Sequence, residues 1–388
     1  MISNLFPTAR HPRSGTFIDQ RIHAHRILGN IVTTVALTPT PTPAVAAVLA
    51  AAGRGHSPVL SPDYLELQVR VPSFDYIRQA RARFPSPSQL EQVAQELQQV
   101  VDLSRFDVIH AHGMYLFPAG ALAHHLCVST GMPYAVTAHG GDINWQMPRQ
   151  REAYAGVLDG AGAVAYVSNA LRDRAHALGA KGRNATVIPN GVDCELFAPA
   201  DQASGIATHR LGPRVAFVGN LSPVKGADLL PGILGGIARS VPNTSFVIAG
   251  DGPLRPSMES AMKRLDVTFL GNIPQEQVAQ VLRESDLAVL PSRSEGWPCV
   301  VLEAHASGTP MIGSDAGGTP EAIDDPRFIV AQGDDFAERF VKATAQVLLG
   351  GVEPNDLRSH ALNHSWHSIA ARETDMLQRI ARRPSSNG

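Results

Sequence analysis

Short apolar runs alternate with longer stretches of helical periodicity along almost the whole of this 388-residue chain. Unbroken apolar runs predict buried strands, and apolar positions three or four residues apart predict helices. In the first half the predicted strands cover 30–37, 65–71, 107–112, 134–138, 163–168 and 185–188. In the second half they cover 214–219, 245–249, 267–270, 287–290 and 311–313. Helices are predicted at 17–28, 88–101, 119–130, 149–158, 169–178, 227–239, 253–264, 275–284, 300–307, 337–348 and 366–382. Such alternation is typical of parallel sheets covered by helices on both faces.

The chain is long enough for two domains, because one hydrophobic core rarely grows beyond about 250–300 residues. A stretch at 197–213 that contains Pro, Ala and Gly separates the two sets of elements and is predicted to be a linker. We therefore expect Rossmann-like, doubly wound domains over 1–196 and 214–365. A terminal helix over 366–388 could return to the first domain. Two such sheets would face one another across a cleft, with ligands at the carboxyl edges of their strands.

The first predicted strand is short. Only Met1–Phe6 precedes the turn at Pro7, although the first strand of a doubly wound domain normally lies in the middle of the sheet. Either the strand is short in this protein, or the natural start lies upstream of Met1. The second reading is the favoured expectation.

Composition narrows the class of protein. Charged residues make up 18% of the chain and hydrophobic residues 44%, which is typical of a folded globular protein. The net charge of −2 gives no reason to expect nucleic-acid binding. Three widely spaced cysteines provide no disulfide framework, and we find no signal peptide. The longest apolar run, at 43–53, is too short to span a membrane and predicts an alanine-rich helix. We therefore expect a cytoplasmic protein.

Three glycine-rich turns are candidates for phosphate binding, because backbone N–H groups at a helix N-terminus attract anions. Gly15 lies in a turn before the first helix, and Gly250 follows a strand of the second half. A third turn, at 218–226, carries Lys225 just before a helix. Each alone is typical of an ordinary tight turn, but three at the same edge of two sheets favour phosphate binding.

Other ligand motifs are absent or out of place. A dinucleotide-like pattern at 160–165 precedes a strand, whereas the true fingerprint follows one and begins a helix. No Walker pattern and no Asp-x-Asp pair occurs. His110 and His112 lack a companion ligand nearby in sequence, so no metal site is expected.

Two glutamates flank an apolar segment at 299–302. Glu295 lies in the loop after the strand 287–290, and Glu303 lies inside the next helix, which Pro298 can begin. In one interpretation Glu295 caps the helix and Glu303 is a solvated surface residue. In the other, both carboxylates accept hydrogen bonds from one ligand, because the neighbours of Glu303 are apolar.

The spacing of these glutamates and the small residues that follow at 304–310 resembles the signature of retaining glycosyltransferases of family 4, which have the GT-B fold. Further motifs of that family occur in the expected order at 6–17, 110–113, 137–142, 189–193, 218–226, 250–253 and 317–321. The N-terminal motif is most similar to bacterial enzymes of cell-surface polysaccharide assembly of the teichuronic-acid type. The resemblance implies an N-terminal acceptor domain and a C-terminal nucleotide-sugar domain. It also implies metal-independent transfer of a hexose from a UDP- or GDP-linked sugar to a saccharide or lipid-linked acceptor, without a cofactor.

The resemblance further implies roles for individual residues. Glu295 would bind the hydroxyls of the donor sugar, Glu303 the ribose, and Lys225 the diphosphate. His139 would lie beside the donor sugar, the alternative being a structural histidine at a strand end. The implied catalytic residues are His139, Glu295, Lys225 and Asp142, and the implied acceptor-side residues are His112 and Asp142. The other implied donor-binding residues are Gly15, Asn220, Gly250, Asn272, Ile273, Gly296, Trp297, Pro298, Cys299 and Val300.

Two positions depart from the family pattern. Many members have an arginine where this chain has Asn220, so neutralisation of the diphosphate would rest more heavily on Lys225. Because the first strand is short, the sequence does not establish that the Gly15 turn is rigid. The activity of the protein is open for the same reason. The family retains the configuration at C1 of the sugar, and no obvious nucleophile occurs in this sequence. We therefore expect the acceptor to attack C1 from the face that the diphosphate leaves, and the departing phosphate to take the proton of the acceptor.

A basic segment at 76–84 is a candidate for membrane contact. It carries Arg78, Arg81 and Arg83 among apolar residues. One interpretation is a solvated face. The other is peripheral contact with an anionic membrane surface, on the inner side of the plasma membrane.

Three alternative functions stay open at this point. A sugar-nucleotide epimerase on the same fold would need acid and base groups at C2 of the bound sugar and no acceptor site. A phosphorylase would need a lysine that holds pyridoxal phosphate, and no clear candidate occurs. A non-catalytic subunit that only binds a sugar nucleotide would not need His139 and both glutamates.

Overall fold

The computed structural model describes residues 1–8, 15–52, 58–72, 83–182, 184–200, 211–350 and 356–381. The chain divides into two compact units. Unit 1 contains Met1–Pro189 and Trp366–Gly388, and unit 2 contains Asn190–Ser365. Each unit is built on one parallel sheet with helices between its strands, which confirms the predicted pair of Rossmann-like α/β domains.

The sheet of unit 1 has seven described strands in the order β3-β2-β1-β4-β5-β6-β7. They are β1 Ile2–Ser3, β2 Val35–Thr40, β3 Leu65–Arg70, β4 Ile109–His112, β5 Tyr134–Ala138, β6 Ala163–Tyr166 and β7 Ala185–Val187. The helices of this unit are α1 Thr16–Ile27, α2 Pro43–Ala51, α3 Pro87–Val100, α4 Ala119–Thr130, α5 Arg151–Gly160, α6 Asn169–Ala177 and, near the end of the chain, α14 Trp366–Ile380. The direction of sheet growth reverses between β1 and β4, so ligand-binding loops are expected at the carboxyl edge there.

The sheet of unit 2 has six described strands in the order β10-β9-β8-β11-β12-β13. They are β8 Arg214–Val218, β9 Ser245–Ala249, β10 Val267–Gly271, β11 Leu287–Leu290, β12 Met311–Ser314 and β13 Ile329–Val330. The helices are α7 Leu230–Ser240, α8 Arg255–Ala261, α9 Gln275–Arg283, α10 Cys299–Ala306, α11 Thr319–Ile323, α12 Phe336–Leu348 and α13 Leu357–Asn363. In this sheet the direction of growth reverses between β8 and β11. Among the described residues of both units, no helix combines the length and apolar composition needed to cross a bilayer.

Most predicted elements are confirmed, and the differences have local causes. The strand predicted at 30–37 begins only at Val35, because the N–H of Asn30 still bonds to the carbonyl of His25 at the end of α1. Strand β1 has two residues, yet it pairs with β2 on one side and β4 on the other. Elements β13, α11 and α13 were not predicted, because segments of two to seven residues carry too little periodicity.

A buried polar network joins α1 to α14 inside unit 1. The Arg21 guanidinium forms an ion pair with the Glu373 carboxylate, and both side chains have 0% exposure. His25 Nε2 lies 3.1 Å from the second Glu373 oxygen, and the Trp366 indole donates to the Gln20 side chain at 2.8 Å. Burial alone would raise the pKa of Glu373, but Arg21 and His25 outweigh burial and lower this pKa to about 2.

Candidate active site

The candidate site of unit 2 lies where β8 and β11 run side by side. These strands are parallel neighbours, paired through Leu287 with Val215. Their carboxyl ends therefore open at the same point of the sheet edge, which is also the point where the strand order reverses. The turn after β8 carries Lys225 at the end of a short 3-10 segment, Pro223–Lys225, and the loop after β11 carries Glu295.

Lys225 and Glu295 contact one another directly. The Lys225 ammonium donates to both Glu295 carboxylate oxygens, at 2.7 and 2.8 Å. The Ser292 hydroxyl donates to the same carboxylate at 2.7 Å. Glu295 is buried, whereas about a third of the Lys225 side chain is exposed. The structure thus brings together the two residues that were assigned to the donor sugar and to its diphosphate.

The loop that presents Glu295 is held in place by residues at and after the end of β12. The Ser314 hydroxyl, at the end of β12, donates to the Ser292 carbonyl at 2.5 Å. Gly317 has φ +52°, and a Cβ at this position would lie 2.0 Å from the Glu295 carbonyl oxygen. Any larger residue there would displace the loop. Gly317 belongs to the family motif at 317–321, but its contact with the Glu295 carbonyl is visible only in three dimensions.

Helix α10 continues this loop. Pro298 lies at the N-cap and Cys299 begins the helix, so the prediction that Pro298 is the first helical residue was one position early. Trp297 is buried, and its ring centroid lies 5.9 Å from the ring centroid of His364. Gly296, Cys299 and Val300 are partly buried. The backbone from 296 to 300 therefore lies next to Glu295, but its contacts with a donor remain predictions.

Glu303 is the second carboxylate of the opening pattern. It lies on α10, is partly buried and neighbours the buried residues Leu302 and Ala304. Burial raises its pKa from 4.5 to about 7. This environment does not fit a freely solvated surface residue, and the carboxyl group changes charge near neutral pH.

The family resemblance assigns Glu303 to the ribose, and an ionised carboxylate would accept stronger hydrogen bonds from the ribose hydroxyls. We therefore expect nucleotide-sugar affinity to rise about tenfold between about pH 6 and pH 8. The effect of Glu303 on the stability of the fold runs the other way with pH: stability falls as pH rises. A carboxyl group whose folded pKa is about 7 and whose ordinary value is 4.5 stabilises the fold less as pH rises through that interval. Isothermal titration calorimetry across this range checks the affinity. The Glu303→Gln variant should bind with a flat pH profile, and an unchanged slope in that variant would contradict the assignment.

The remaining predicted donor residues of unit 2 follow three neighbouring strands. Asn220 follows β8 and is exposed. Gly250 follows β9, and its N–H donates to the Gly271 carbonyl at 2.8 Å. Asn272 and Ile273 follow β10. All are at the carboxyl edge, as predicted, and their contacts with a nucleotide remain predictions.

In unit 1 the candidate site centres on His139, which follows β5. The His112 Nδ1 atom lies 3.3 Å from the His139 Nε2 atom, and the Phe17 ring centroid lies 4.9 Å from that of His139. His112 has 0% exposure, and burial lowers its pKa well below 6.5, so its imidazole is neutral. The enclosed His112 ring lies against His139, and its contact with an acceptor stays a prediction.

Asp142 holds the turn that carries His139. Its buried carboxylate accepts hydrogen bonds from the backbone N–H groups of His139, Gly140 and Ile143, at 3.1, 2.9 and 3.0 Å. Burial raises the pKa of this carboxyl group, although the backbone hydrogen bonds oppose that shift. The geometry gives Asp142 a positioning role, and its contact with an acceptor stays a prediction. Tyr115, which the sequence had not indicated, is hydrogen-bonded through its hydroxyl to the same turn.

The other predicted residues of unit 1 have mixed outcomes. Gly15 is the N-cap of α1 with φ +78°, and a Cβ there would lie 1.7 Å from the Leu5 carbonyl oxygen. Only glycine therefore fits this turn. Arg83 is exposed before α3, whereas Arg78 and Arg81 lie outside the described residues. In the part of the chain that the structure describes, no three His, Cys, Asp or Glu side chains converge on a metal position.

Two parallel-sheet α/β units, each with polar loops at the carboxyl edge of its sheet, are the architecture of the GT-B fold. HepE of Anabaena, solved in complex with UDP-glucose, matches 98% of this chain and 99% of its own with a TM-score of 0.64, at 17% identity. The model described as Glycosyltransferase Family 4 matches residues 45–196, and the model described as Glycosyl transferases group 1 matches 212–349. The chain belongs to the family 4 glycosyltransferases, as its motifs predicted.

Two curated relatives illustrate the range of the family. The chain is 34% identical over 220 residues to TuaC of Bacillus subtilis, a provisionally named teichuronic acid biosynthesis glycosyltransferase. That match covers 55% of this chain and 54% of TuaC, so the chain spans about half the length of this relative. It is 28% identical over 285 residues to a GDP-mannose-dependent α-(1-6)-phosphatidylinositol monomannoside mannosyltransferase of Mycobacterium tuberculosis, covering 67% of this chain and 73% of that one.

Proposed function

We propose that this protein is a retaining glycosyltransferase that moves a hexose from a nucleotide diphosphate sugar to a saccharide or lipid-linked acceptor, in the synthesis of a cell-surface polysaccharide or glycoconjugate. The observation that carries the proposal is the contact between Lys225 and Glu295 at the strand-order reversal of unit 2. A diphosphate needs a cation, and sugar hydroxyls need a carboxylate, so the pair matches both parts of such a donor.

The donor is proposed to be UDP- or GDP-linked. HepE was solved with UDP-glucose, and the mycobacterial relative is named as GDP-mannose-dependent, so both nucleotides occur among similar proteins. Metal independence is part of the proposal, because Lys225 and backbone N–H groups would supply the positive charge. We also propose that the protein works at the inner face of the plasma membrane.

In the proposed step, the bond between C1 of the sugar and the diphosphate oxygen breaks while the acceptor oxygen attacks C1 from the same face. The acceptor proton passes to the departing phosphate oxygen. Because the acceptor attacks the face that the diphosphate leaves, the configuration at C1 is retained. Lys225 neutralises the charge that grows on the leaving group. Glu295 fixes the sugar through its hydroxyls, and Glu303 holds the ribose.

The test begins with a thermal-shift screen of UDP-, GDP- and ADP-linked sugars, because at equal concentration a ligand that binds more tightly raises the melting temperature further. The sugar nucleotide that binds is then supplied in radiolabelled form with a bacterial lipid extract. Labelled product that depends on the extract and forms in the presence of EDTA supports the proposal. Conversion of the sugar nucleotide without any acceptor would identify an epimerase, and tight binding without any turnover would identify a non-catalytic subunit.

A further inference from the structure

Trp297 carries a buried hydrogen-bond donor that the proposed transfer step does not use. This residue lies two positions after Glu295, in the loop 291–298 between β11 and α10, and its side chain is 8% exposed. The indole Nε1 atom is buried and has no hydrogen-bond partner among the described residues. A buried donor without an acceptor is costly, because it has given up its bond to water and gained none in the protein. This donor therefore needs an acceptor in the working protein.

His364 is a ring neighbour of Trp297. The two ring centroids lie 5.9 Å apart, and the ring planes are inclined by 34°. This separation is compatible with an N–H···N hydrogen bond between the two ring edges after a small rotation. Both residues belong to unit 2, so the bond would form inside one compact body.

The existing hydrogen bond of His364 leaves an acceptor for the indole. The His364 Nδ1 atom lies 3.0 Å from the His360 carbonyl oxygen. A carbonyl oxygen can only accept, so Nδ1 is the nitrogen that carries the proton in this contact. In a neutral imidazole the other nitrogen, Nε2, then carries the lone pair. His364 therefore offers Trp297 an acceptor rather than a second donor.

His364 is the last of three histidines that we call the histidine row, with His305 and His360. The ring centroids of His360 and His364 lie 4.8 Å apart. The Nδ1 atom of His360 lies 3.0 Å from the Nδ1 atom of His305, which is on α10. Burial lowers the pKa of both His305 and His360, that of His305 to about 3, so one neutral Nδ1 donates to the other. The histidine row thus leads from α10 to Trp297.

Helix α13, which carries His360, is fastened to its surroundings by main-chain contacts. The Arg358 guanidinium donates to the Ala306 carbonyl at the end of α10, at 2.8 Å, and to the Phe197 carbonyl at 2.6 Å. Directly after the helix, the His364 carbonyl accepts a hydrogen bond from the Val192 N–H at 3.0 Å. The position of the His364 ring is therefore set independently of the loop that carries Trp297.

We propose that His364 is a positioning residue for the loop 291–298: its Nε2 atom accepts the Trp297 indole N–H when the donor sugar is bound, and so holds the loop backbone beside Glu295. This inference rests on the proposed glycosyl transfer and adds a residue that acts through Trp297. Because Glu295 is assigned to the sugar hydroxyls, the bond strengthens binding of the sugar and leaves binding of the nucleotide unchanged.

Calorimetric titration of the full chain with UDP-glucose, GDP-mannose and ADP-glucose, and with UDP, GDP and ADP, tests the proposal. For the sugar nucleotide that binds, His364→Leu should weaken binding about fivefold or more. The affinity for the free nucleoside diphosphate should stay the same, which also shows that unit 2 remains folded. His364→Gln should keep most of the affinity, because its amide oxygen can replace Nε2 as the acceptor. The matched control is His367→Leu, an exposed histidine of α14 in unit 1, which should bind like the wild type. Equal losses in His364→Leu and His364→Gln would show a packing role and overturn the proposal.

A double-mutant cycle tests whether Trp297 and His364 share one bond. Trp297→Phe removes the N–H and keeps an aromatic ring, so it should weaken sugar-nucleotide binding about as much as His364→Leu does. The double variant should then bind no more weakly than either single variant. Additive losses would overturn the proposal. So would a loss in Trp297→Phe with none in His364→Leu, which would show that the indole donates to the sugar itself. A wild type that binds none of the three sugar nucleotides would overturn the proposed function, and this inference with it.

Discussion

Replacing Lys225 with Ala should lower transfer from the nucleotide sugar at least about tenfold, equivalent to about 1.4 kcal/mol of transition-state stabilisation. Lys225 is the cation in contact with Glu295 at the reversal point of unit 2, and diphosphate departure needs positive charge at that point. The measurement is initial-rate release of the nucleoside diphosphate with the acceptor extract. Glu295→Gln should lower the rate at least as much, because the sugar loses its charged hydrogen-bond acceptor.

Binding measurements separate the two roles. Lys225→Ala should weaken binding of both the free nucleoside diphosphate and the nucleotide sugar, since both carry the diphosphate. Glu295→Gln should weaken binding of the nucleotide sugar alone. Lys263→Ala and Glu276→Gln, at exposed positions of the same unit, serve as matched controls and should behave like the wild type. Wild-type rates in both site variants would refute the assignment of the donor site.

Glu373→Gln should destabilise the protein by about 3–5 kcal/mol, because it leaves the fully buried guanidinium of Arg21 without its counter-charge. The double variant Arg21→Met with Glu373→Leu removes both charges, and we expect it to recover most of that loss. Urea unfolding of Arg21→Met, Glu373→Leu, the double variant and the wild type forms a double-mutant cycle, and Glu373→Gln is measured beside it. A double variant as unstable as Glu373→Gln would show that the ion pair itself, rather than the unpaired charge, dominates.

The ion pair of Arg21 and Glu373 should lose its contribution to folding stability in acid. The folded pKa of Glu373, about 2, lies below its ordinary value of 4.5. Its contribution to stability is therefore fully present above about pH 4.5 and is lost as the pH falls from there towards 2. The wild type should lose stability over this interval more steeply than Glu373→Gln. Parallel slopes for the two proteins would contradict the low pKa.

The sequence predicted the sheet strands well, because the run 287–290 is apolar throughout and the run 134–138 is apolar except for Thr137. It also placed Lys225 and Glu295 at the carboxyl edge, since each directly follows a strand. It did not predict their direct contact, because this depends on β8 and β11 being neighbours in the sheet although they are distant in the chain. The burial of His112 was missed for the same kind of reason: β4 lies between β1 and β5, a position that the local pattern does not reveal.

The mutual contact of Lys225 and Glu295 also bears on selectivity. The Glu295 carboxylate accepts hydrogen bonds from both Lys225 and Ser292. Under the proposed function, a diphosphate would compete for Lys225 and so free Glu295 for the hydroxyls of the sugar that the diphosphate carries. We therefore expect a free monosaccharide, which lacks the diphosphate, to bind much more weakly than the nucleotide sugar.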